Sequence, residues 1–280
     1  MPTTVGDVNL VRFVRLLVGA SIVLVLGAGL AGQGVAPTTP SPASVRVPTV
    51  GSSTAPTNAA KIFRWGNAQW FDNFVSPLAP MWSVNHAGQV RNQHGMLTLD
   101  STATSGSITA TLTGHPRQYG RWEARVRSRQ YGTGGTPYHV VWELVPTRDD
   151  HCGARGIVLS DYALGSNLAT MHVRNIPNLD YRVARSLPLT GNQFHTYAVE
   201  VTPDHVSWFV DTRVMMTERR TPARTGALYN ARFRLVGVPG TKMNAGRMQM
   251  DWVRYYTLAQ PNAKPIVAPQ ATLGTYAGAC

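Results

Sequence analysis

The sequence predicts an all-β fold of two packed antiparallel sheets, and three observations carry that prediction. Short runs alternate apolar and polar residues with a period of two. Gly, Pro, Asn and Asp separate the runs. No long stretch repeats its apolar residues at helical spacing. The chain has 280 residues, of which 43% are hydrophobic. That suffices for one large sandwich domain with a core of its own.

The alternation can be followed along the chain. His94-Gly95 is a turn signal, and Met96-Leu97-Thr98-Leu99 follows it as a strand. Ile108, Ala110 and Leu112 share one face of the next run, and Trp122, Ala124 and Val126 share one face of another. Tyr197, Val199 and Val201 form a third such set; a Pro203-Asp204 turn leads to Val206, Trp208 and Val210. Met248, Met250 and Trp252 close the series. Each set is expected to face the core, because alternate side chains of a strand point to one side.

Residues 61–259 are therefore read as the folded domain. Arg12 and Arg15 precede the uncharged run Leu16–Ala31, which ends in the small residues Gly29-Leu30-Ala31. That pattern predicts a signal peptide or signal anchor over residues 1–32, with the rest of the chain outside the cytoplasm. Residues 33–60 carry Pro37, Pro40, Pro42, Pro48 and Pro56 among Ser, Thr and Ala, and read as an extended linker. Residues 260–280 read as a loop-like tail. The two cysteines, Cys152 and Cys280, are an expected disulfide in an exported chain.

The formal net charge is +12, carried by arginine, since Lys61, Lys242 and Lys264 are the only lysines. A basic surface favours anionic partners. The export signal turns that expectation away from nucleic acid and toward acidic glycans or lipid head groups. No Cys or His spacing suits a metal, and no GxSxG points to a serine hydrolase.

Four blocks occur in a definite order: Gln118–Arg125 (QYGRWEAR), Val140–Pro146 (VVWELVP), Phe194–Asp204 (FHTYAVEVTPD) with Trp208–Asp211 (WFVD), and Met250–Tyr256 (MDWVRYY). Together they resemble glycoside hydrolase family 16, the laminarinase-like enzymes. The resemblance implies a concanavalin A-like β-jelly roll with one concave cleft. In that family a strand reading E-x-D-x-x-E supplies the nucleophile, a tuning aspartate and the general acid/base. Positions i and i+2 share a face, and a bulge returns i+5 to it. Retaining chemistry needs the two carboxyls about 5–5.5 Å apart.

Here the matching strand reads GIVLSDY. Gly156 falls at the nucleophile, Val158 at the aspartate and Asp161 at the acid/base. Anchoring on Cys152-Gly153 instead gives Ala154, Gly156 and Leu159, so neither register recovers three acids. The chain holds four glutamates, Glu123, Glu143, Glu200 and Glu218. Only Glu143 sits where the resemblance places a cleft strand. Asp161 and Glu143 are thus the candidate catalytic residues. Tyr138, His139, Trp142 and Tyr162 are candidate sugar-binding residues on the same strands, and Arg155 is a candidate for an anionic group.

These readings combine into an exported, monomeric, family 16-like domain that binds a polysaccharide, anionic by its charge, without cleaving it. It needs no cofactor, although the resemblance leaves room for a structural calcium near Asp251. It meets a membrane only through an uncleaved N-terminal segment. Two alternatives remain open: a glycoside hydrolase or transglycosylase with rearranged carboxylates, and a structural protein of the cell envelope.

Overall fold

The computed structural model of the chain describes residues 58–148 and 155–278. The leader, most of the linker, His151, Cys152 and Cys280 lie outside the described residues, and so does the expected disulfide. Among the described residues no helix is long and apolar enough to cross a membrane.

Among the described residues eighteen strands run in chain order. The first six are β1 (Trp70–Asp72), β2 (Trp82–Val84), β3 (Val90–Asn92), β4 (Leu97–Ser101), β5 (Ile108–Arg117) and β6 (Gly120–Gln130). Next come β7 (Thr136–Pro137), β8 (His139–Pro146), β9 (Gly156–Ala163), β10 (Leu168–Asn175), β11 (Leu179–Ser186) and β12 (His195–Val201). The last are β13 (Val206–Val210), β14 (Arg213–Glu218), β15 (Tyr229–Val236), β16 (Met243–Asn244), β17 (Gly246–Tyr256) and β18 (Thr272–Thr275). The first sheet has the order β14-β13-β12-β6-β17-β4-β3, with β1 also on β17; the second is β18-β11-β10-β9-β8-β15-β5-β2. Pairing within both sheets is antiparallel throughout, and a short parallel ribbon joins β7 to β16. This is the expected all-β sandwich, a β-jelly roll.

Its core lies between the sheets. Ile108, Ala110, Leu112, Trp122, Ala124, Val126, Tyr197, Val199, Val201, Val206, Trp208, Val210, Met248 and Met250 are all buried there, as the alternation predicts. Trp252 is the exception. The pairing of β17 with β6 shifts register between Met250 and Trp252. This bulge moves Trp252 to the outer face and gives Val253 its place in the core.

Two features extend the sandwich. A short helix α1 (Ala59–Phe63) covers part of the outer face of the first sheet, packing Ala59, Ala60, Phe63 and the following Trp65 on Ala198, Phe209 and Tyr256. The tail is more ordered than a loop: β18 adds an edge strand to β11. Buried Glu218 accepts a bond from the Ala271 amide, and Glu200 accepts from Asn262 Nδ2 at 2.9 Å, so two carboxylates fasten the tail.

Candidate functional site

Side-chain parity divides β8 cleanly. Tyr138, just before the strand, and Val140, Trp142 and Leu144 within it face the core, while His139, Val141 and Glu143 face outward. On β9, Ile157, Leu159, Tyr162 and Leu164 (just past its end) face the core. Two residues, Ser160 and Asp161, separate Leu159 from Tyr162, so the strand must bulge. The register of β8 with β9 does shift there: Trp142 pairs with Ser160, but Glu143 pairs with Val158. The bulge returns Asp161 to the face of Gly156 and Val158, as the resemblance implies. The bulge that the resemblance implies is present, and of the three positions it aligns with acids, Gly156 and Val158 hold residues that cannot ionise.

A core tryptophan holds this bulge. Trp208 of β13 donates its indole N–H to the Val158 carbonyl at 2.9 Å, from one sheet to the other. The third sequence block thereby positions the strand that carries the altered motif.

The expected aromatic sites are corrected by the same parity. Tyr138 and Trp142 are 0% exposed and Tyr162 is 3% exposed. Trp142 stacks on Phe233 with centroids 4.3 Å apart. Tyr138 donates its hydroxyl to the Thr102 carbonyl, and the Tyr162 hydroxyl lies 2.9 Å from that of Ser128. All three are inside the sandwich and cannot meet a sugar. Had Glu143 been placed outward in the sequence, its neighbour Trp142 was bound to point inward. The same holds for Asp161 and Tyr162.

His139 and Asp161 do reach the surface and meet there. His139 Nδ1 lies 2.7 Å from Asp161 Oδ1, and their side chains are 52% and 33% exposed. This hydrogen bond to the carboxylate raises the His139 pKa against the opposing effect of partial burial. Glu143 lies two residues along β8 from the position opposite Asp161. Its Oε1 is 2.8 Å from Nε of both Arg232 and Arg234 of β15, so two guanidinium groups hold the one glutamate of this face.

Arginine dominates what surrounds it. Arg155, Arg174 and Arg232 line a cavity of ≈ 70 Å³ with Glu143, Gly156 and Val158. Beyond β10, Arg182, Arg185, Thr170 and Thr272 border a wider hollow of ≈ 460 Å³. Between them His172 and Asp180 form a buried pair at 2.9 Å. Burial alone would raise the Asp180 pKa; the bond from His172 and the charges of Arg174 and Arg182 outweigh it and hold the carboxyl below its usual range. Tyr276, from the tail, lies under the Arg174 guanidinium at 3.7 Å. Sequence reasoning named only Arg155 of this set. The ARFRLV alternation of β15 would have shown Arg232 and Arg234 as one face; nothing local marks Tyr276, which arrives through the added strand.

No three His, Cys, Asp or Glu side chains gather among the described residues. Asp251, the residue considered for calcium, accepts a bond from Arg125 at 2.6 Å.

No family model matches the sequence, and no curated protein matches it. Solved structures do. The laminarinase from Rhodothermus marinus gives a TM-score of 0.56 at 18% identity, over 68% of this chain and 97% of that one. A non-specific endo-β-1,3(4)-glucanase from family GH16, co-crystallised with 1,3-β-D-cellotriosyl-glucose, gives 0.56 at 15% identity, over 68% and 94%. A structure of endo-acting O-glycanases that human gut microbiota express to initiate mucin breakdown gives 0.55 at 19% identity, over 69% and 100%. The chain has the two-sheet β-jelly-roll fold of these glycan-cleaving enzymes, one of them from family GH16.

Proposed function

We propose that this domain binds an anionic polysaccharide on the outer face of the second sheet and does not cleave it. One observation carries the reading. The strand matching the acid-bearing motif presents Gly156, Val158 and Asp161 outward, beside a cavity lined by Arg155, Arg174 and Arg232. Gly156 has no side chain to attack a glycosidic carbon, and Val158 cannot tune or shuttle a proton. Glu143 Oε1 accepts a hydrogen bond from Arg232 Nε, and the Arg234 guanidinium lies beside the same oxygen as a second positive charge. What remains is a sheet face on which three arginines line one cavity with a single glutamate. Guanidinium groups recognise carboxylate and sulfate through paired, charge-assisted hydrogen bonds. The neighbouring solved structures include one holding a β-glucan oligosaccharide, which supports a glycan as the partner. The basic then uncharged pattern of residues 1–32 supports a site of action outside the cytoplasm, and the domain is proposed to act there as a monomer.

A second reading draws on the His139–Asp161 pair, which leaves one carboxylate at the acid/base position of an enzyme with rearranged acids. Reducing-end release separates the two. Purified protein is expected to release no reducing sugar from laminarin, lichenan, agarose or xyloglucan above buffer. Release that Asp161→Asn abolishes would replace binding with hydrolysis as the function.

A further inference from the structure

The cavity beside Gly156 is small and basic. Its volume of ≈ 70 Å³ is well below the roughly 300 Å³ at which pockets enclosing a whole small molecule begin. A pyranose ring does not enter such a space, whereas a carboxylate or a sulfate group does. Arg155, Arg174 and Arg232 line it with one acid, Glu143. Glu143 already accepts from Arg232 Nε at 2.8 Å, with the Arg234 guanidinium beside the same oxygen. Behind Arg174 stand Asp180, 3.9 Å from its Nε, and His172, which is bonded to Asp180. With Arg234 included, four guanidinium groups face two carboxylates, and the cavity keeps a net positive charge.

Two of these guanidinium groups keep donors in reserve. Among the described residues, Arg155 Nε and Arg174 Nε are buried and have no hydrogen-bond partner. Asp180, at 3.9 Å, is beyond hydrogen-bond reach of the Arg174 Nε. A buried donor left unpaired is costly, and more so on a charged group. An oxyanion in the cavity would satisfy both. Tyr276 lies 3.7 Å from the Arg174 guanidinium, which fixes its plane and leaves its edge free to donate. Gly156 makes the room. A β-carbon there would meet nothing nearer than the Leu144 carbonyl oxygen at 3.4 Å, so the strand has space for a side chain that the sequence does not supply. An acid at this position would meet the arginines from within; glycine leaves them to an anion from outside.

We propose that this cavity is an oxyanion pocket, which seats one carboxylate or sulfate ester of the bound glycan while the sugar ring that carries it stays outside. The inference rests on the glycan reading of this face and names the group that the face recognises. Arg155 and Arg174 donate to the anion through their Nε–H groups, as charge-assisted hydrogen bonds. Tyr276 is a positioning residue that acts through Arg174.

The test is a titration of the full chain with sodium sulfate, against sodium chloride at equal ionic strength, read by NMR on the arginine side-chain N–H groups. Arg155→Gln and Arg174→Gln assign the two signals by deleting one each. Sulfate should move both Nε–H signals along a saturating curve, and chloride should not. The outer face of the first sheet is also basic, with Arg125, Arg127 and Arg129 alternating along β6, so Arg127 is the control for unspecific binding. Arg174→Gln should weaken sulfate binding at Arg155 about tenfold. Gly156→Asp, which supplies an anion from within, should abolish it. Tyr276→Ala should weaken it and Tyr276→Phe should not. If Arg174→Gln melts early, Arg174→Lys carries the test: it keeps the charge, loses the planar fork and should bind sulfate more weakly than the wild type. An oligogalacturonide and a sulfated oligosaccharide without uronate then compete with sulfate, and the one that displaces it identifies the group. Signals of Arg155 and Arg174 that do not saturate, or that move no more than that of Arg127, would overturn the proposal. If oligogalacturonide still bound by calorimetry in that case, the glycan reading would stand without the pocket. Saturating sulfate that neither oligosaccharide displaces would overturn the proposal and the glycan reading together.

Discussion

Trp142 shows what a single residue's parity decides. Its sequence context suggests a sugar platform, but its ring lies against Phe233 with an interplanar angle of 12° and no exposed surface. Trp142→Ala should therefore act on stability. Emptying a fully buried tryptophan site costs about 3–5 kcal/mol. Chemical denaturation measures it, and a folded variant of unchanged stability that had lost only glycan binding would restore the platform reading. Glu123 makes a pH-dependent case. Burial drives its pKa up from 4.5 to about 7, against the lowering effect of the Ala60 and Ala59 amides. The folded state therefore holds this proton where the unfolded chain releases it. Its contribution to stability is full below the ordinary carboxylate range and is lost as pH rises through about 7. Glu123→Gln removes the titration. The variant's melting temperature should gain on the wild type between pH 5 and pH 8, by a free energy on the order of 3 kcal/mol. Parallel pH profiles for the two proteins would contradict this.

At the scale of the element, the strands were legible and their bulges were not. Period-two alternation placed the core faces of β5, β6, β12 and β13 correctly, because regular pleating needs only local sequence to read. It failed at Trp252, where an unpaired residue in β17 shifts every later side chain to the other face. The bulge in β9 was expected only because the resemblance to E-x-D-x-x-E required it. What holds it in place was out of sight: the Trp208 indole donating across the sandwich to the Val158 carbonyl, 50 residues away in sequence. Trp208→Phe should leave that carbonyl unsatisfied at a cost of about 1–3 kcal/mol. Faster amide exchange should then appear along β9, beyond the site of mutation. A stable Trp208→Phe protein with unchanged exchange in β9 would show that the bulge is held by pairing alone.

For the whole molecule, the recognisable blocks and the altered chemistry divide between the sheets. Three of the four blocks fall on β6, β12–β13 and β17, which stand side by side in the first sheet. They carry the scaffold: the buried Arg121–Glu200 pair joins β6 to β12, and Trp122 packs edge-on to Tyr255 of β17 at 5.1 Å. The fourth block is β8 of the second sheet, next to β9, which holds Gly156 and Val158 where the resemblance aligns acids. The fold could therefore be read from the first sheet, while the site had to be assembled from β8, β9, β10, β15 and the tail. Arg232 and Arg234 share β15, but Arg174 and Tyr276 join them only once β10, β15 and the tail are brought into one sheet.

The central claim is that this assembled face binds an anionic glycan through its arginines. Titration calorimetry with a short oligogalacturonide tests it directly, since a short ligand cannot span both basic faces. The wild-type protein should bind the oligogalacturonide and not its neutral β-glucan counterpart. Arg174→Gln with Arg232→Gln should abolish the heat of binding, and Arg127→Gln with Arg129→Gln should leave it unchanged. Equal binding by the wild type and the Arg174→Gln/Arg232→Gln variant, or preference for the neutral glucan, would contradict the account.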